Sequence, residues 1–403
     1  MHITKIELTN FRNYSKFKLD QIDDLNIIIG NNGVGKTTIL ESIYLCSLAR
    51  SFKGNDDYVI MKKNELFSKV KIELSTGKNI KKLEYLLTQD GKKTKINGTL
   101  KKRISDFISQ YKVILFSPDE IKIIKDAPST RRTYLNISLS QINKGYIKLV
   151  NNYNILIKNK NDYLKKMYIN SNMDERYLDI LDIKLAQIGK EICEERREYI
   201  DKLNKYIKKI FKKFKSNDDI YIKYESNFLD KSEKDIIKYL KKNRMNEINL
   251  GMTKSGVHRD DFIFMHNGEN AKEFSSQGIQ KLILLCLKLA ELNVLINDYY
   301  EEPILLLDDL FSELDVVNQN LVLNNLNKNI QIFITTTDIN NVNPKIVKKA
   351  KIIDLGGGNK NEWLQWGRYS GSWRTWSCKK KTRNVYRYYW CKRITSFGMG
   401  NCW

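Results

Sequence analysis

The spacing of apolar positions changes several times along this chain, and each change marks an element. Leu25 to Ile29 is a short, mostly apolar run that predicts a buried strand. After a glycine-rich break, Thr37 to Leu48 predicts a helix. Pro303-Ile304-Leu305-Leu306-Leu307-Asp308-Asp309 and Gln331-Ile332-Phe333-Ile334-Thr335-Thr336-Thr337-Asp338 predict two more buried strands, each with a polar end. A helix is predicted from Leu282 to about Leu295. Between these segments, Thr133 to about Ile248 contains no proline and is rich in Lys, Glu, Leu and Ile. There Leu181, Leu185, Ile188, Ile192, Tyr199, Leu203, Tyr206 and Ile210 keep three- or four-residue spacing or its sum, predicting one long amphipathic helix. Leu149, Tyr153 and Leu156 begin another, so an antiparallel helical arm is expected.

From Asn359 the pattern fails. Asn359 to Trp403 shows neither helical nor strand period, yet it holds all six tryptophans and three of the six cysteines. It carries ten Lys/Arg against the single acid Glu362, so it supplies +9 of the formal net charge of +23 and leaves +14 for the rest. Three explanations compete: a basic aromatic tail that stacks on single-stranded nucleic acid, an ordinary disordered tail, or out-of-frame translation. Disordered segments are poor in Trp and Cys. Suitable codons from Asn361 onward, read one base later, spell MNGYNGEDIVEVGGLGAVRKRPGMYIGT, which resembles the start of the DNA gyrase B subunit. The third explanation is preferred, and no function is assigned to 359–403.

The remaining positive charge favours a polyanionic partner, nucleic acid or an anionic membrane surface, or simply reflects a lysine-rich proteome. No stretch approaches the roughly 18 uninterrupted apolar residues of a membrane span, and no signal peptide is legible after Met1. Cys46, Cys193 and Cys286 are scattered without metal-ligand spacing, as expected of buried reduced thiols in a cytoplasmic protein.

The glycine-rich break is Gly30-Asn31-Asn32-Gly33-Val34-Gly35-Lys36-Thr37, followed by Thr38. Strand, loop and helix in this order form a phosphate loop: glycines let successive N–H groups curl round the phosphates, and the helix N-terminus adds its dipole. Lys36 is expected on the β- and γ-phosphates of ATP and the Thr37 hydroxyl on Mg²⁺. Asp308 is expected to hold Mg²⁺, and Asp309 to orient or deprotonate the attacking water. Ser312-Glu313-Leu314-Asp315 follows at the spacing of the D-loop in ABC ATPases, with Ser312 and Asp315 as its polar members. Most ABC ATPases have Glu at the Asp309 position and a switch histidine at that of Thr337, so both residues predict slow hydrolysis. Ser276-Gln277-Gly278, about 30 residues before the acidic strand, is expected to be the signature that contacts the γ-phosphate held by a second copy.

With further motifs, the chain resembles the RecF family of bacterial recombination mediators from Met1 to about Gly358. The resemblance is carried by Leu8-Thr9-Asn10-Phe11-Arg12-Asn13-Tyr14, Phe116-Ser117-Pro118-Asp119-Glu120, Pro128-Ser129-Thr130-Arg131-Arg132 and Gly256-Val257-His258-Arg259-Asp260-Asp261. Val257, Ile279, Lys281 and Asn136 depart from its pattern. It implies an α/β fold, an ABC-type P-loop ATPase head with an inserted α-helical lid. The expected layout is a first lobe at 1–132, lid at 133–248, second lobe at 249–358 and the atypical tail at 359–403. It further implies ATP-driven homodimerisation, DNA binding without a membrane role, the partners RecR and RecO, and help in loading the RecA recombinase at single-strand gaps. Arg131 and Arg132 are read as phosphate contacts or as solvated surface. His258 is expected to be structural, paired with Asp260 or Asp261. Lys202, Lys205, Lys208, Lys209, Lys212, Lys213 and Lys215 are candidate DNA contacts. Two rivals share parts of this pattern, a transporter's nucleotide-binding subunit and a DNA-binding structural protein with a vestigial ATPase.

Overall fold

The computed structural model describes residues 1–54, 57–77, 79–169, 174–313, 319, 322 and 330–356, and the strands at 377–382 and 385–390. The chain divides into two units, Met1–Gly358 and Asn359–Trp403. In the second unit, β15 (Ser377–Thr382) and β16 (Val385–Trp390) pair antiparallel. Strand pairing there was not legible as a period; the aromatic and β-branched content of Val385–Trp390 favours it locally.

The first unit begins with the hairpin β1 (His2–Phe11) and β2 (Tyr14–Asp20), then β3 (Leu25–Ile29) and the helix α1 (Lys36–Leu48). β4 (Phe67–Thr76), β5 (Asn79–Thr88), β6 (Gly91–Ile96) and β7 (Thr99–Leu100) complete an antiparallel sheet of order β2-β1-β4-β5-β6-β7. Its strands alternate, burying Ile6, Leu8, Val70 and Ile72 against Ile39, Leu40 and Ile43 of α1.

A second sheet is wholly parallel, as strands buried on both faces require. It comprises β3, β8 (Val113–Phe116), β12 (Ile304–Asp308), β13 (Ile332–Thr336) and β14 (Lys351–Asp354), in the order β14-β3-β13-β12-β8. Every residue of β8, β12 and β13 is buried. The carboxyl ends of β3, β12 and β13 therefore lie side by side, where open α/β sheets bind ligands.

The arm follows β8. After a short helix α2 (Lys122–Lys125) come α3 (Pro128–Ile142), α4 (Lys144–Ile169), α5 (Arg176–Phe214) and α6 (Glu233–Leu250). Tyr146 meets Arg196 near one end of α4 while Lys160 meets Asp182 further along, so α4 and α5 run antiparallel as expected. At 39 residues α5 is about 58 Å long, an arm rather than an extended coiled coil. Its stripe of Leu185, Ile192, Tyr199, Leu203, Ile207 and Phe211 is buried, each large apolar side chain contributing about 1.5–3 kcal/mol. The third long helix, α6, is capped by Ser232 and stopped by Gly251. Positions 132 and 248, where the sequence reading bounds the lid, fall within α3 and α6.

After α5, β9 (Ile220–Glu225) pairs with β10 (Asp261–His266), and β11 (Glu269–Asn270) follows on the other side of β10, a small sheet joining the arm to the second lobe. A short helix α7 (Ala271–Phe274) and the helix α8 (Gln277–Asn293) come next, and α9 (Leu310–Glu313) follows β12. α8 starts five residues before the expected Leu282. The Ser276 hydroxyl accepts from the Ile279 N–H, so the signature residues form the helix's own first turn.

Candidate nucleotide site

The phosphate loop is shaped by its neighbours as much as by its glycines. Tyr14 and Asn13 both donate to the Val34 carbonyl at 3.2 Å. Gly35 has φ +109°, and a Cβ there would lie 2.6 Å from the Tyr14 hydroxyl, so no other residue fits without displacing that ring. Arg12 forks onto the fully buried Glu41 at 2.6 and 2.9 Å, tying the β1–β2 hairpin to α1. This bracing is the structural content of the motif at 8–14. Lys36 folds back on its loop, donating to the Gly30 and Asn31 carbonyls at 2.7 and 3.1 Å. Burial lowers its pKa, and Asp309 and Asp308 oppose that shift.

Facing the loop is Asp308 at the end of β12. Its Oδ1 accepts from Thr37 at 2.9 Å and from Thr335 at 2.8 Å. Burial raises the pKa of this carboxyl, while the two hydroxyls pull it down. Thr335 also accepts from the Asp309 N–H at 3.0 Å and so couples both acids. Asp309 sits in the left-handed region, at φ 51°. Thr335 is missing from the sequence reading. In the run Thr335-Thr336-Thr337 only the parallel register, which pairs Asp308 with Thr335, selects it. Thr337 lies just beyond β13 and is exposed.

A hydroxyl and a carboxylate are hard oxygen donors, the set that suits Mg²⁺ shared with phosphates. No group of three His, Cys, Asp or Glu side chains that could hold a metal alone occurs among the described residues. The residues present fit an ion held jointly with a nucleotide. Ser312 falls in α9, but its side chain, like the whole of Asp315, lies outside the described residues.

Ser276, Gln277 and Gly278 are exposed. Among the described residues they make no hydrogen bond to the phosphate loop of their own chain. The turn before them is pinned by Gln280, another residue the sequence reading missed. Its buried amide donates to the carbonyls of Ala271, Lys272 and Ser275 at 3.0–3.2 Å.

The remaining motifs prove to be structural joints. Arg131 is neither a phosphate contact nor solvated, but buried and bidentate on Asp261 at 2.6 and 2.9 Å. Arg132 donates to the Asp260 carbonyl. Asp260 is buried between Arg196 and Tyr224, at 2.8 and 2.5 Å. His258 is structural as expected, but its partners are the Tyr153 hydroxyl and the Thr253 carbonyl rather than Asp260 or Asp261. Glu120, after β8, pairs with Lys288 of α8 at 2.6 Å. On α5, Lys202 bonds Glu198 and Tyr299, Lys205 meets Asp298 at 3.4 Å, and Lys209 and Lys212 are exposed, as is Lys215 just past its end.

Residues 2–353 match the family model described as RecF/RecN/SMC N terminal domain. The DNA replication and repair protein RecF of Lactobacillus gasseri is 37% identical over 367 residues, covering 89% of this chain and 98% of that protein. The protein of the same name from Clostridium perfringens is 36% identical over 362 residues, covering 89% and 99%. This chain belongs to the RecF family. The solved structure of the recombination mediator protein RecF-ATP in the RecFOR pathway is 34% identical, with a TM-score of 0.79 over 85% of this chain and 93% of that one. An Smc head bound to the C-winged helix domain of ScpA, 16% identical with a TM-score of 0.51, shares the fold over 88% of this chain and 94% of that one. The fold is thus the α/β head of ABC-type ATPases expected from the motifs. Among the described residues no helix is long and apolar enough to cross a membrane, and Cys46, Cys193 and Cys286 are buried and free.

Proposed function

We propose that this chain is an ATP-dependent DNA clamp of recombinational repair and replication, closing as a dimer around two nucleotides. The observation that carries the reading is a divided site. Thr37, Asp308, Asp309 and Thr335 converge at the strand ends, while the exposed Ser276–Gly278 turn opens a helix and, among the described residues, makes no hydrogen bond to its own chain's loop. A helix N-terminus offers N–H groups to an anion, and a second copy's γ-phosphate is the anion this turn would meet.

Lys36 and the loop N–H groups bind the phosphates, and Thr37 and Asp308 hold Mg²⁺. Asp309 aligns water, and Thr337 senses the γ-phosphate through its hydroxyl. Asp309 replaces the longer Glu and Thr337 a histidine, so turnover is slow and serves as a switch that reopens the clamp. Gly30, Asn31, Asn32, Gly33, Val34, Gly35 and Thr38 complete the cradle, and Ser312 and Asp315 act as the D-loop. The exposed lysines of α5 take DNA phosphates. The RecFOR pathway of the solved relative supports RecR and RecO as partners; RecA loading at gaps, in the cytoplasm, is the outcome this reading expects. The segment 359–403 is out-of-frame translation with no part in this, which the nucleotide sequence of its gene would check.

ATP turnover measured with and without DNA tests the reading: DNA should stimulate it several-fold. Turnover indifferent to DNA would favour a transporter-type subunit, and DNA binding without turnover a vestigial ATPase.

A further inference from the structure

The turn that presents the signature is also held from the side of the arm. β10 ends on His266, whose Nδ1 lies 3.0 Å from the hydroxyl of Ser275, the residue just before Ser276. On the other side of the ring, Nε2 lies 3.4 Å from Asp218 Oδ2. Asp218 belongs to the turn between α5 and β9. It is fixed by the Asn267 amide, which donates to its other oxygen at 3.2 Å while accepting from the Asp219 N–H at 2.8 Å. Phe211, in the last turn of α5, meets the imidazole edge-on at 5.8 Å.

The Asn267 amide nitrogen also lies 3.5 Å from Nε2, but it already donates to Asp218, and a carboxylate can only accept, so the ring proton is assigned to Nε2, facing Asp218. Nδ1 is then left to accept from the Ser275 hydroxyl. The Ser275 carbonyl meanwhile accepts from Gln280. Ser275 is therefore held by both its side chain and its backbone, at the point where the chain turns into α8.

We propose that His266 is the positioning residue of the signature turn. The series Asp218, His266, Ser275 fixes the angle at which Ser276 is offered to a γ-phosphate on a second copy, and so sets the affinity of the ATP-dependent dimer. The inference rests on the divided-site reading above. It also makes the end of the arm helix one terminus of a link whose other terminus is the signature.

Sedimentation of the full chain with and without ATP tests it. His266→Ala and Ser275→Ala should bind ATP like wild type yet weaken the ATP-dependent dimer about tenfold, the size of one lost hydrogen bond. An Asn amide sits where Nδ1 lies and a Gln amide where Nε2 lies. His266→Asn should therefore stay within about threefold of wild type, while His266→Gln falls with alanine. Equal behaviour of Asn and Gln would overturn the assignment, as would a Ser275→Ala dimer of wild-type affinity. Ser276→Arg, run alongside, should block dimerisation outright. If it does while His266→Ala and Ser275→Ala dimerise normally, only the positioning role falls. If Ser276→Arg dimerises undiminished, the divided site falls and the inference with it.

Discussion

The arm and the strand ends of the parallel sheet both bury charge, and they treat it in opposite ways. In the arm, Lys160 is fully buried with its ammonium 2.8 Å from both Asp182 and Glu247, themselves fully buried. Arg244 reaches Glu175, Asp179 and Asp182 from α6. Each charge is answered by an opposite charge on another helix, so the network fixes the register of α4, α5 and α6. At the strand ends, the hydrogen bonds of Asp308 among the described residues come from two hydroxyls, and those of Lys36 go to the carbonyls of its own loop. Under the proposed function, those groups would take a phosphate and a cation. Burial alone does not mark a site; the identity of the partners does.

The contrast can be broken by mutation, and the arm should give the largest effect. Lys160→Met strips buried Glu247 of its only cation partner among the described residues and leaves Asp182 to Arg244 alone, and should lower the unfolding free energy by about 3–5 kcal/mol. Urea denaturation reads this, and a loss below about 1 kcal/mol would place the network among weak surface pairs.

The next effect lies at the seam between arm and head. Burial lowers the pKa of His258 from 6.5 to about 4, and the nearby Arg259, Arg132 and Lys160 push the same way, opposed by the Thr253 carbonyl. Between those values the folded state binds fewer protons than the unfolded chain, so stability falls as pH drops from about 6.5 to about 4. The loss should reach up to about 3 kcal/mol. His258→Gln should flatten that stretch of the stability–pH curve, and an unchanged slope would assign it to other groups.

Lys36→Ala should do the reverse of Lys160→Met. Nucleotide affinity, followed by calorimetry, should fall at least about a hundredfold while stability changes by less than about 1 kcal/mol. A large stability loss would mean that Lys36 is structural like Lys160.

Much of this was legible in the sequence because its physics is local. The phosphate loop needs glycines at fixed places, then a lysine and a hydroxyl on a helix's first turn, and Gly30 to Thr37 supply them in order. The long arm helix was legible because Leu181 to Ile210 repeat on one face. Other features were not. Thr335 and Thr337 are equivalent in sequence, and only the pairing of β12 with β13 makes Thr335 the bridge between the acids. Arg131 could not be told from a surface arginine until β10 placed Asp261 against it. Gln280 and His266 carry no motif; they matter because of the carbonyls and hydroxyl they meet.

By itself, then, the sequence determined the phosphate cradle, the acidic strand, the amphipathic arm and the family, because each is written in residue types at short, fixed spacing. Only the tertiary structure decided which buried charges pair with charges on other helices and which meet only neutral hydroxyls and carbonyls in their hydrogen bonds. It also brought His266 between Ser275, just before the Ser276 turn, and Asp218, just after the arm helix. Partners far apart in the chain set a side chain's hydrogen bonds, and no local spacing records who those partners are.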